Sequence, residues 1–190
     1  VAVIHAIGSY VSPKANLDTE MCSMKAMEMS VGGFRKMAEH GKEYRMELLD
    51  EFLTASDLAG IAFGNAGTGA VHAMSYPLSG VYHVTHGEAN YQFLVDVFET
   101  YQPLNPDGKI RPLTHFLGGL LGCDESLAYH ELEKLLDVII ARRQLREYGM
   151  KEGEIEEFAK SVEKSQTRLL NQSYVKFSWQ QMAEIYRRLY

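Results

Sequence analysis

Residues 64–90 read GNAGTGAVHAMSYPLSGVYHVTHGEAN, and the fold turns on how this stretch is taken. Gly64, Gly67 and Gly69 invite comparison with a phosphate-cradling loop, which follows a β-strand and opens a helix inside a βαβ unit. No alternating strand pattern precedes Gly64, so that reading is weak. Small residues here serve instead to let the backbones of neighbouring helices approach closely. The same stretch carries His72, His83 and His86 in surroundings almost free of charge. A lone histidine is usually a core residue satisfied by a backbone carbonyl. Three imidazoles this close together, among glycines, suit a shared metal ion between two packed segments better.

Outward from this stretch the apolar periodicity is helical nearly everywhere. Ile4, Ile7 and Val11 share one face of an opening helix, which Ser12-Pro13 ends. Asn16 is placed to cap a helix from Leu17 to the neighbourhood of Gly41, with Gly32-Gly33 marking a kink or a close approach. Helices are expected over 44–63, 68–76 and 88–101, with a turn over 77–87 and a loop over 103–109. Beyond them come a short helix over 112–121, a long amphipathic one from Asp124 towards Gly149, and one over 152–170. Ser178, with Gln181 in the capping-box position, starts the last. The expectation is an all-α chain of eight or nine helices, one domain over residues 1–190, with no βαβ unit.

Composition narrows the function classes. Of 190 residues, 46% are hydrophobic and 23% charged, an ordinary soluble balance. A formal charge of -6 argues against a nucleic-acid partner, which wants a basic face. No run approaches the roughly 18 apolar residues of a membrane span. No secretory leader is evident, although the chain starts in mid-helix pattern. Cys22 and Cys123 lack a C-x-x-C spacing and read as reduced thiols of a cytoplasmic protein. The methionines from Met21 to Met29 fall at helical spacing and read as core filling rather than a binding face. Between Arg45 and Lys109 there is no Lys or Arg, so no fixed positive charge competes with a cation there.

Asn65-Ala66-Gly67, Val71-His72-Ala73-Met74, Pro77-Leu78, Gly80 and His86-Gly87-Glu88-Ala89-Asn90 together resemble the signature of the iron-dependent (group III) alcohol dehydrogenases. Ser75-Tyr76-Pro77, Tyr82-His83, residues 105–109 and residues 145–150 bring the likeness near members that oxidise a short terminal hydroxy acid. The resemblance spans the chain from Ile4 to Tyr190 but only the family's C-terminal, metal-binding half. It implies an all-helical domain holding Fe(II) or Zn(II), with NAD bound only through a separate N-terminal domain. It also implies a homo-oligomer, and a small hydroxy acid or its aldehyde as substrate. The family's ligands come from an Asp-x-x-x-His helix motif and two further histidines. His5, His72 and His86 match the three imidazoles.

Two positions depart from the family pattern. Val1 stands where the ligand Asp belongs, and Gly8 where the family usually carries Glu. An isopropyl group donates no lone pair, so the site is left with three neutral imidazoles. That set still resembles a catalytic zinc arrangement. Many members carry a histidine at the place of Tyr76, whose phenol here would position substrate, relay a proton or simply pack. His83 is a further candidate, as replacement ligand, proton relay or structural residue. The substrate carboxylate would want a cation, and Lys14, Arg142, Arg143 and Arg146 are the ones considered. Two other readings stay open: a decayed helical interaction module, and a free-standing metal enzyme such as a hydrolase.

Overall fold

The computed structural model describes all 190 residues and contains ten α-helices and no strand. They are α1 (Ala2–Tyr10), α2 (Leu17–His40), α3 (Leu49–Ala66), α4 (Ala70–Tyr82), α5 (His86–Leu104), α6 (Ile110–Leu121), α7 (Ala128–Asp137), α8 (Glu154–Ser165), α9 (Thr167–Asn171) and α10 (Trp179–Leu189). Three short 3-10 segments lead into α3, into α7 and towards α8. No helix is long and apolar enough to cross a membrane.

Two of the starts are set by local chemistry that the sequence announces. Asn16 Oδ1 accepts from the Thr19 amide at 3.0 Å, and Thr19 Oγ1 accepts from the Asn16 amide at 2.9 Å. Ser178 and Gln181 form the same reciprocal box at α10. Each box occupies donors that a helix start otherwise leaves unpaired.

The α4–α5 hairpin runs through the middle of the molecule. Residues 70–75 of α4 are all buried, and α5 is buried around most of its circumference from Ala89 to Tyr101. A helix apolar on every side must be enclosed. α1 packs against α5 and is itself packed on by α2 and α3, while α8 and α9 pack against α4, and α7 and α10 against α5. Phe93, Phe98, Tyr101, Tyr186 and Phe177 form the aromatic centre, with the Phe93 and Tyr186 rings edge to face at 5.4 Å. Gly33 is a close approach rather than a kink: a Cβ built there would lie 2.5 Å from the Phe52 ring of α3.

Several boundaries differ from the sequence expectation. The turn expected over 77–87 is largely helix, because α4 runs through Pro77 to Tyr82. Proline removes one amide donor and loosens the turn before it. The buried Tyr186 hydroxyl donates to the Met74 carbonyl there at 2.7 Å. The loop expected from Pro103 starts later, since α5 extends to Leu104. The long helix expected from Asp124 breaks into a 3-10 turn, α7, and an irregular stretch over 138–144. Side chains capture that stretch: Asp137 accepts from the Arg142 amide at 3.1 Å, and the buried Gln92 accepts from the Arg143 amide at 2.9 Å. The helix expected over 152–170 divides at Gln166 into α8 and α9.

Candidate metal centre

His5 on α1, His72 on α4 and His86 at the first position of α5 converge where these three helices meet. One ring nitrogen from each lies within 4.8 Å of the other two. The His5 and His72 rings stack at 4.7 Å, and His86 stands 5.3 Å from His72. Phe63, near the end of α3, backs the His5 ring at 4.1 Å. These rings line a cleft of about 470 Å³, together with Tyr76, Gly64 and Asn65 at the end of α3, and Gly67 and Thr68 of the glycine loop that follows.

The electrostatics favour neutral imidazoles. Burial pushes His72 down to about 3, helped by the charges of His5 and His86. Burial likewise pushes His5 down to about 4, helped by the charge of His86. His86 is lowered as well, again chiefly by burial. Near neutrality all three therefore keep a lone pair, the state that binds metal.

The fit to a divalent ion rests on His72. It is 3% exposed, and its Nε2 is buried without a hydrogen-bond partner. A buried acceptor left unpaired is costly and calls for an occupant. Two imidazole nitrogens on one ion at about 2.0–2.1 Å stand no more than about 4.2 Å apart, so the set needs only a small contraction. An exclusively nitrogen donor set of this kind suits Zn(II) and Fe(II).

A polar relay orients His86. The Ser75 hydroxyl donates to Asn90 Oδ1 at 2.7 Å, and the Asn90 amide nitrogen lies 3.0 Å from His86 Nε2 and 3.3 Å from Nδ1. Ser75 and Asn90 are fully buried. Both fall within the stretches that carry the family resemblance but neither is among the expected site residues, although the i, i+4 spacing of His86 and Asn90 puts them on one face.

Val1 occupies the expected place. Its carbonyl accepts from the His5 amide at 3.0 Å, one helical turn away, and its methyl lies against Gly87, where an added Cβ would come within 2.7 Å. Position 1 thus faces the start of α5 beside His86. At Gly8 an added Cβ meets nothing within 4 Å. Tyr76 lies in the cleft as expected, whereas His83 does not. It is exposed, is not among the residues lining the cleft, and ends α4 in the left-handed conformation with φ 55°. The glycines give room to a neighbouring segment. A Cβ at Gly67 would lie 2.3 Å from the Gln172 amide, and one at Gly69 would lie 3.1 Å from the Ser173 backbone, so both positions are filled by the segment after α9.

The all-helical domain brings three imidazoles together at a helix junction beside an open cleft. The chain belongs to the Fe-containing alcohol dehydrogenase family, its C-terminal part, whose profile matches residues 2–190. It is 53% identical over 189 residues to the 4-hydroxybutyrate dehydrogenase of Clostridium kluyveri, covering 100% of this chain and 51% of that protein. With the 1,3-propanediol dehydrogenase of Citrobacter freundii it shares 31% identity, over 100% of this chain and 49% of the relative. The crystal structure of a 1,3-propanediol oxidoreductase superposes with a TM-score of 0.81 at 26% identity, covering 100% of this chain and 50% of the other. The chain spans about half the length of these relatives.

Proposed function

We propose that this chain is the metal-binding half of an NAD-dependent dehydrogenase that interconverts 4-hydroxybutyrate and succinate semialdehyde. The observation that carries the reading is the cluster of His5, His72 and His86, with one ring nitrogen of each within 4.8 Å of the others, and the buried, unpartnered Nε2 of its central member, His72. The 53% identity to a 4-hydroxybutyrate dehydrogenase supports the substrate. His5, His72 and His86 hold Fe(II) or Zn(II). When bound, the ion supplies Lewis acidity towards an alcohol or carbonyl oxygen.

The remaining work falls to side chains. Asn90 and Ser75 hold the His86 ring in register, and Phe63 fixes the His5 ring. The Tyr76 hydroxyl makes no hydrogen bond to another protein group and stands in the cleft, where it positions the substrate hydroxyl or relays its proton, passing its own on as it receives one. His83 caps α4 and plays no part in the chemistry. NAD belongs to the nucleotide-binding half of such enzymes, so this half alone does not turn over substrate. We place the protein in the cytoplasm, as a homo-oligomer.

Calorimetric titration of the metal-free chain with Zn(II), and anaerobically with Fe(II), tests the reading. One saturable site per chain is expected, abolished by His72→Ala. Stoichiometric binding that survives His72→Ala would refute it.

A further inference from the structure

The cleft beside the three imidazoles is lined by two cations, Lys14 and Arg168, and by no carboxylate. Neither cation forms an ion pair, and neither side chain donates a hydrogen bond within the molecule, although both are exposed and free to do so. The other cations considered for a substrate carboxylate are engaged. Arg142 is paired with both Asp96 and Glu133. Arg143 lies over the Tyr148 ring at 6.0 Å, and Arg146 donates to Gln144 at 2.8 Å. None of these three lines the cleft.

Lys14 and Arg168 are far apart in sequence, yet each sits on a segment fastened to the glycine loop. The turn that carries Lys14 is tied down by Ser12, whose buried hydroxyl donates to the Ala66 carbonyl at 2.6 Å and accepts from the Lys14 amide at 3.2 Å. Arg168 sits on α9, anchored by the buried Leu169 and Leu170. The residues after α9 close on the loop, with Gln172 filling the space a side chain at Gly67 would need. Gly67 also adopts φ +79°, which an L side chain rarely does. The loop therefore sets both cations relative to the imidazoles without using either charge.

We infer that Lys14 and Arg168 bind the carboxylate of the substrate, and so select hydroxy acids over neutral alcohols. The inference rests on the proposed dehydrogenase reading, because it takes the imidazole end of the cleft to receive the hydroxyl. Guanidinium and ammonium groups pair with a carboxylate by charge-assisted hydrogen bonds, which are stronger than neutral ones. A divalent ion on three neutral imidazoles adds to the same positive field. A butanol of the same length has nothing to offer these two groups. Oxyanions could come from the substrate carboxylate or from the pyrophosphate of a dinucleotide, and the carboxylate is favoured because the cations share one cleft with the imidazoles and Tyr76.

The test uses the metal-free 190-residue chain, so that neither turnover nor metal loading enters. Butyrate, butan-1-ol and ADP are titrated in parallel and followed by saturation-transfer NMR. Butyrate should bind saturably, weaken with salt, and bind at least tenfold more weakly to Arg168→Gln and to Lys14→Gln, with Arg168→Lys keeping part of the affinity. Butan-1-ol binding should be unchanged by all three substitutions. Butyrate affinity that is absent in the wild type, or equal in the variants, overturns the inference. So does a loss confined to ADP, which would give the cations to the dinucleotide. In the whole dehydrogenase the same variants should raise KM for 4-hydroxybutyrate at least tenfold while leaving KM for NAD unchanged. A wild-type enzyme that failed to oxidise 4-hydroxybutyrate would refute the proposed function, whatever the butyrate titration showed.

Discussion

Replacing His72 by Leu should stabilise the metal-free chain while destroying its metal site. His72 is almost fully buried and its Nε2 has no partner, so the ring's polar nitrogen is held out of water uncompensated. An unsatisfied buried acceptor costs roughly 1–3 kcal/mol, and leucine, of similar volume, removes that cost while keeping contact with His5. The expected gain at pH 7 is about 1–2 kcal/mol, or a few degrees in Tm for a chain of this size. The sign of the pH dependence follows from the depressed His72 value of about 3. Between its ordinary value and that depressed one, the unfolded chain binds a proton that the native ring refuses. Wild-type stability therefore falls as pH drops below about 6.5, by roughly 1.4 kcal/mol per unit from this one group. His72→Leu should remove this share and leave a similar one from His5, whose depressed value of about 4 also lies below the ordinary one, with a further one from His86. Zinc should reverse the order, since about 100 Kd of free metal adds about 2.7 kcal/mol to the wild type alone. Urea denaturation at pH 5 and 7, with chelator and with Zn(II), measures all of this. A metal-free variant less stable than wild type by 1 kcal/mol or more would show that Nε2 is satisfied and that the site is not built for metal.

Val1→Asp, in a chain extended upstream so that position 1 lies inside α1, should tighten Zn(II) at least tenfold, about 1.4 kcal/mol. Equal affinities by calorimetry would mean that position 1 does not face the site. Asn90→Ala should weaken Zn(II) about 10- to 100-fold by releasing the His86 ring, and unfold earlier in urea because Ser75 is left with the His72 carbonyl alone as acceptor; unchanged metal affinity would remove the relay from the site. NADH fluorescence should show no saturable change with this chain at micromolar concentration, since it holds no βαβ unit, and a saturating signal would contradict that. Leu49, Leu53 and Ile61 form an exposed apolar row on α3, away from the cleft. Association in sedimentation should accordingly be weakened by Leu53→Glu, and a wild-type monomer would refute the homo-oligomer.

The all-helical class, the capping boxes at Asn16 and Ser178, and the three candidate imidazoles were legible in the sequence. Each depends on spacing or on neighbours within one or two turns, which a linear chain displays directly. The family motif added what spacing could not, namely that His5 belongs with His72 and His86 across more than sixty residues. Tertiary structure decided the rest. It carried α4 through Pro77, because the burial of residues 70–75 and Leu78 outweighs the lost amide. The irregular stretch after α7 follows from Asp137 and Gln92 holding its amides, against a local pattern that favoured helix. His83, three residues from a candidate ligand, was turned out of the cleft by the left-handed end of α4. Arg168, to which the sequence assigned no role, was brought to the cleft because the chain after α9 packs on Gly67 and Gly69. Periodicity records which face of a helix is buried; which cations share a cleft with the imidazoles depends on contacts between distant segments, and these form only when the helices pack.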